Sequence, residues 1–368
     1  MKYSKHQKQK GFSLIEIMIA LVIGMVLMGG AINIFISNNA VYKLVTELSR
    51  VQETGRFLID FMSKEIRMAG YNGCASRGDV EPNVIANNPP PLTISNDNAV
   101  LGYDGTAAGN AITDWAPAIP ADISIPMYDI DGVAAKDLVV NTDVINIMRV
   151  DQCGAFLTGN WVVTSATLQV SAPNSCGFAQ NSAVIVTNCA TADVFQIVNN
   201  PGNNGPTVTL THSTAVNTGN FLGSTYGPQD AHISVPRSNS FFIALNDAGE
   251  NALYLAEWGS TDNDNTVNIG DFSVYELADG VQDMQILYGE DTGGGGGNQY
   301  TDVYVNASAV ADWTNIRSVR INLLLQSADN ITTEPRAFTF NGANANTGND
   351  NRLRVAFSTT IVLRNRLP

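Results

Sequence analysis

Glu16 is a single carboxylate set inside an otherwise apolar run, residues 11–36, GFSLIEIMIALVIGMVLMGGAINIFI. A carboxylate in hydrocarbon costs about 2.5–3.5 kcal/mol on insertion scales, so an acid here calls for a cationic partner. The chemistry is charge pairing in an apolar medium. The other reactive groups do not assemble a reaction centre. His232 lies near Asp230 and Ser234, but the DAHIS segment has no nucleophile-elbow motif, and a surface or packing role accounts for it. No carboxylate pair stands out for glycoside hydrolysis against a background of solvated acids. The DIDG segment at 129–132 and the DNDN segment at 262–265 resemble fragments of calcium loops, without the terminal bidentate Glu; they read as turns. The glycine run 293–297 lacks the Lys-Ser/Thr of a phosphate cradle and reads as a hairpin tip. No catalytic residue, metal or cofactor is expected.

The cysteines carry the remaining chemistry. Cys74, Cys153, Cys176 and Cys189 all fall after the apolar run, without a CxxC, and beyond the leader only His212 and His232 could join them as zinc ligands. Two disulfides are expected in an oxidising compartment, and the three possible pairings stay open.

The elements that must position these groups follow from pattern. Run 11–36 is long enough for a helix to cross roughly 30 Å of hydrocarbon. Lys2, Lys5, Lys8 and Lys10 precede it; without them, 16 basic residues face 34 acidic ones, a formal charge of −18. That asymmetry puts the N-terminus in the cytoplasm and the bulk outside, and an acidic body argues against nucleic-acid contact. Beyond the run, Val41, Leu44, Val45, Leu48, Val51, Gly55, Leu58, Ile59, Met62 and Ile66 recur at spacings of three and four. They predict an amphipathic continuation over 37–70 that packs on a head, in a helix from Phe12 to Met68 about 85 Å long. Residues 71–137, rich in Asn, Pro and Gly, read as an irregular connector that is functional or holds short strands. Residues 138–368 read as a β-rich head, with strands at 138–150, 161–170, 183–186, 194–198, 207–210, 241–245, 252–257, 272–276, 281–289, 316–326 and 353–363. Tyr288, Tyr300 and Trp313 suit either a partner surface or core packing. The arginines Arg364 and Arg366, if exposed, are available to acidic neighbours.

Gly11-Phe12 followed by Ser13-Leu14-Ile15-Glu16 and the long apolar run resembles the class III signal of type IV pilins and type II secretion pseudopilins. The C-terminal pattern VQDMQILYGED, W..IRSVRINLLLQS and FSTTIVLRNR resembles the PilW family of minor pilins and, more loosely, J-type minor pseudopilins. The resemblance implies a pilin-like α+β fold, with a long N-terminal helix, membrane-spanning in its first half, on a head of antiparallel strands. It implies that residues 1–11 are a leader cut by a prepilin peptidase between Gly11 and Phe12, that Phe12 is N-methylated, and that 12–36 stays as membrane or filament-core helix. Glu16 would then offset the Phe12 amine of a neighbouring subunit, since two buried charges are tolerable only when paired. The implied partners are the peptidase, other minor pilins and the major pilin, the inner-membrane assembly platform and membrane lipid. The implied role is priming pilus assembly from a tip-associated complex, for twitching, adhesion or DNA uptake. A type II pseudopilin and an anchored adhesin that uses the connector or glycine tip are the alternatives. A subunit that keeps Glu16 needs another subunit's amine, which argues against the extreme tip position.

Overall fold

The structure is a computed structural model that describes residues 11–73, 80–87, 98–107, 114–120, 138–159, 161–202, 205–228, 230–258, 272–293, 300–341, 343–345 and 350–366. Its first element is α1 (Leu14–Arg67). Ser13 caps it, and at the other end the Met68 N–H donates to the Glu65 carbonyl and the Ala69 N–H to the Ile66 carbonyl. Lys64 and Arg67 in the last turn suit the negative end of the helix dipole. Gly70 then takes φ +72°, a conformation that stops the helix without a Cβ penalty, and donates its N–H to the Met148 carbonyl at 2.8 Å.

Among the described residues sixteen strands follow. They are β1 (Asn83–Val84), β2 (Val100–Tyr103), β3 (Val144–Phe156), β4 (Thr167–Ser171), β5 (Ala183–Thr187), β6 (Ala192–Gln196), β7 (Thr207–Thr211) and β8 (His232–Leu245). Then come β9 (Asn251–Trp258), β10 (Phe272–Asp279), β11 (Val281–Glu290), β12 (Val303–Val305), β13 (Ile316–Asn330), β14 (Phe338–Phe340), β15 (Ala343–Ala345) and β16 (Arg352–Val362). The expected α+β architecture, one long helix with a head of antiparallel sheets, is what they build. The segment expected as connector contributes β1 and β2, which close opposite ends of the larger sheet, and Trp115, whose buried indole donates to the Thr142 carbonyl at 2.9 Å.

The larger sheet runs β1-β6-β5-β8-β3-β2, with β9 on β8 and β10 on β9. Along one edge β8 pairs with β3; along the other it pairs with β5 through Ser234 and with β9 from Ser238. The smaller sheet is β12-β11-β13-β16, all antiparallel. Strand alternation decides which side chains meet. On β3 and β8, Ile145, Ile147, Phe241 and Ile243 face α1 and the smaller sheet, while Val144, Met148, Phe242 and Ala244 face the opposite way. Both faces are therefore buried, and the apolar runs of this sheet are nearly continuous. A third core surrounds the Cys153–Cys176 disulfide and holds Trp161, Phe195, Val184 and Tyr226. Cys189 is also disulfide-bonded, and Cys74 lies outside the described residues.

The helix is buried over only part of its stripe. Val51, Gly55, Leu58, Met62 and Ile66 are buried, whereas Val41 and Val45 are each 55% exposed. Length explains the difference: α1 is about 81 Å long, and an eleven-residue β16 reaches only about 36 Å. Where the two do meet, the fit is tight. A Cβ on Gly55 would lie 2.3 Å from the Phe357 ring, so glycine lets the ring of β16 rest against the helix backbone. Replacing Gly55 with Val is expected to cost about 2 kcal/mol by overpacking. A urea melt of the full chain in detergent checks it, and an unchanged midpoint would refute this account of the contact.

Candidate assembly site

The first turn of α1 forms a capping box. The Glu16 N–H donates to Ser13 Oγ at 3.2 Å, and the Ser13 N–H donates to Glu16 Oε2 at 3.3 Å. The sequence Ser-x-x-Glu at 13–16 carries this signal, which a reading centred on charge pairing overlooks. Within its own chain, Glu16 has a neutral donor and, among the described residues, no ion pair. Phe12 beside it is 82% exposed.

From here to the head, the helix offers an unburied apolar surface that includes Leu21, Met25, Leu27 and Phe35. It is long and apolar enough to cross a membrane. A continuous apolar surface of this extent needs lipid or other helices around it. Among the described residues Gly24, Gly29 and Gly30 have no neighbour within 4 Å of an added Cβ, so none of them requires glycine there.

At its other end the helix is fixed to the head by polar groups. Glu65 pairs with Arg149 at 3.1 Å and accepts from Asn239 Nδ2 at 3.0 Å; Arg149 also pairs with Asp151. Asn365 Nδ2 donates to the Ala69 carbonyl at 3.2 Å, bringing the chain's end to the helix terminus. Asp104 and Asp143 join the two sheets. Asp143 accepts the N–H of Gly105 at 3.0 Å and of Ile286 at 2.7 Å, and Asp104 accepts those of Ala307 and Ser308 at 2.9 and 2.8 Å. Burial pushes the Asp143 carboxyl up to about 7, against its two N–H donors, with the negative charges of Asp104 and Asp283 adding to the rise.

The other sequence candidates separate. His232 is exposed at the start of β8, Ser234 is buried, and among the described residues no hydrogen bond joins either to Asp230. His212 is fully buried between Trp161 and Phe195, and burial lowers its pKa. Tyr288 is a core residue edge-on to Trp313, with ring centroids 4.9 Å apart, while Tyr300 is 74% exposed. Arg366 donates to the Trp313 carbonyl, which ties it into the chain, and Arg364 is exposed. The segments 129–132 and 262–265 and the glycines 294–297 lie outside the described residues. Among the described residues no group of three His, Cys, Asp or Glu could hold a metal ion.

A long helix, apolar and unburied in its first half and docked on antiparallel sheets in its second, defines the pilin-like class of membrane-anchored subunits. In comparison with known families, residues 240–365 match PilW, the type IV pilus-assembly protein W, and residues 6–32 match the prokaryotic N-terminal methylation motif. Together these matches support a type IV minor pilin of the PilW family, a family of structural proteins. Residues 33–239 lie outside both matches. No curated protein and no solved structure matches the chain.

The sheet junction gives a pH test. Because the folded pKa of Asp143 lies above its unfolded value, its contribution is most favourable at low pH and declines as pH rises from about 4 to about 7. The stability of the wild type relative to Asp143→Asn should fall across that window. A difference that does not vary with pH would contradict the assignment.

Proposed function

We propose that this chain is a minor pilin that helps to prime assembly of a type IV pilus. It enters the inner membrane through α1, N-terminus in the cytoplasm and head in the periplasm. A prepilin peptidase cuts between Gly11 and Phe12, and the new Phe12 terminus is N-methylated. The subunit then passes, with other minor pilins, into a complex near the filament tip and meets the major pilin there. The observation that carries this reading is the division of α1: residues 14–50 are exposed or half-buried, and burial on the head begins at Val51.

In this reading Glu16 exchanges the neutral Ser13 N–H for the charged amine of a neighbouring Phe12. Within an apolar bundle a charged donor satisfies the carboxylate far better than a peptide N–H does. The open space around Gly24, Gly29 and Gly30 supports close approach of a second helix, for which small residues are suited.

Glu16→Ala is expected to lower incorporation into sheared pili about tenfold or more, as a buried amine left without its carboxylate would cost several kcal/mol. Immunoblots of the pilus and membrane fractions give the readout. Normal incorporation of the variant would remove the pairing role and the argument against the extreme tip. A deletion strain should carry few surface pili; full piliation with lost protein secretion would instead assign the chain to a type II system.

A further inference from the structure

The smaller sheet has a second face, turned away from α1, that the assembly reading leaves unused. On β13, Val319, Ile321, Leu323 and Leu325 point toward the helix, so Arg320 and Asn322 between them point outward. In register with them stand Leu287 of β11 and Ser358 of β16, and β14 rises over one side with Thr339 and Phe340. Together they enclose an open cleft of about 530 Å³, within the range of small-ligand sites.

Arg320 is its charged group, and it is held in place. Its guanidinium carbon lies 3.9 Å above the centroid of the Tyr304 ring, and Nε donates to Thr360 Oγ1 at 3.3 Å. Among the described residues no carboxylate pairs with it, although Arg352 and Arg354 on the neighbouring strand each have one. An acidic protein thus keeps an immobilised cation, unpaired among these residues, in a concave site. The planar fork of arginine matches a carboxylate. Beside it, Asn322 Nδ2 is engaged by the Gln285 carbonyl at 3.4 Å, which directs its Oδ1 to accept, and the exposed Ser358 hydroxyl both donates and accepts.

The position within the sheet narrows the ligand. β13 is paired along both edges, so its own backbone has no free groups with which an extended peptide could form a ladder. Over β13 it is side chains that read what binds: one cation, an amide oxygen, hydroxyls and the apolar flank of Leu287 and Phe340. We infer that this cleft binds an acidic sugar residue, its carboxylate on Arg320 and its ring hydroxyls on Asn322 and Ser358.

The test is calorimetric titration of the full chain in detergent micelles with D-glucuronate, D-glucose, acetate and the capped peptide acetyl-Gly-Asp-Gly-amide. Glucuronate should bind saturably, with each of the others about tenfold weaker or more. Arg320→Gln should abolish that preference, and Ser358→Trp should block the cleft without touching the charge. Arg364→Gln, at an exposed arginine outside the cleft, should bind as the wild type does. Thermal melts establish folding; should Arg320→Gln fail to fold, Ser358→Trp carries the test. Absence of saturation, or glucuronate binding unaffected by Ser358→Trp, would overturn the site. Acetate or the peptide binding as tightly as glucuronate would overturn the sugar assignment.

Discussion

One helix has to satisfy two different surroundings, and the rest of the molecule is arranged around the point where it passes from one to the other. From Val51 onward its apolar stripe is buried against β13, β16 and the inner face of the larger sheet. Before Val51 the same helix carries apolar side chains that are exposed, with Leu44 and Leu48 half-buried near the junction. One close point of attachment is Gly55 against Phe357, where a missing side chain brings strand and helix together. Such a joint lets the head hold the helix rigidly while leaving its first half for lipid or neighbouring helices.

Buried polar groups hold the head to that helix and to itself. Glu65 reaches Arg149 and Asn239; Asp143 and Asp104 take four backbone N–H groups across the junction of the sheets. Asp193, almost fully buried, accepts from Asn83, the Gly223 N–H and the Tyr226 hydroxyl at 2.5, 2.7 and 2.6 Å, tying β1 and a distant loop to β6. A carboxylate in the interior is tolerable when several donors surround it. These bonds fix how the elements sit relative to one another, which apolar contact alone specifies poorly.

Much of this was legible from the chain, and the failures have physical causes. The helix and the strands with alternating or continuous apolar residues announced themselves, because their side chains meet a core at every turn or every second residue. The first half of β8 did not. Its residues 232–240, HISVPRSNS, are mostly polar and include a proline, yet Ser234, Ser238, Asn239 and Ser240 are buried, with Ser238 and Ser240 bonded to Asn146. Pro236 falls where one edge of β8 changes partner from β5 to β9, a place that tolerates a missing N–H. β1 and β2 were too short to stand out in a polar segment, and the Cys153–Cys176 pairing depends on spatial approach that spacing does not reveal. At the N-terminus the apolar run and its carboxylate are plain, while the capping box that holds Glu16 in the free chain rests on the Ser-x-x-Glu spacing alone.

The account turns on α1 being kept whole on the finished protein, since an anchor removed during export could neither pair Glu16 with a neighbour nor carry the head into a filament. Intact mass and N-terminal sequencing of the protein, from cells with and without the prepilin peptidase, address this directly. The account predicts an N-methylated chain beginning at Phe12, and the uncut precursor where the peptidase is missing. A chain that still begins at Met1 in peptidase-positive cells, or one cut after the apolar run, would contradict it.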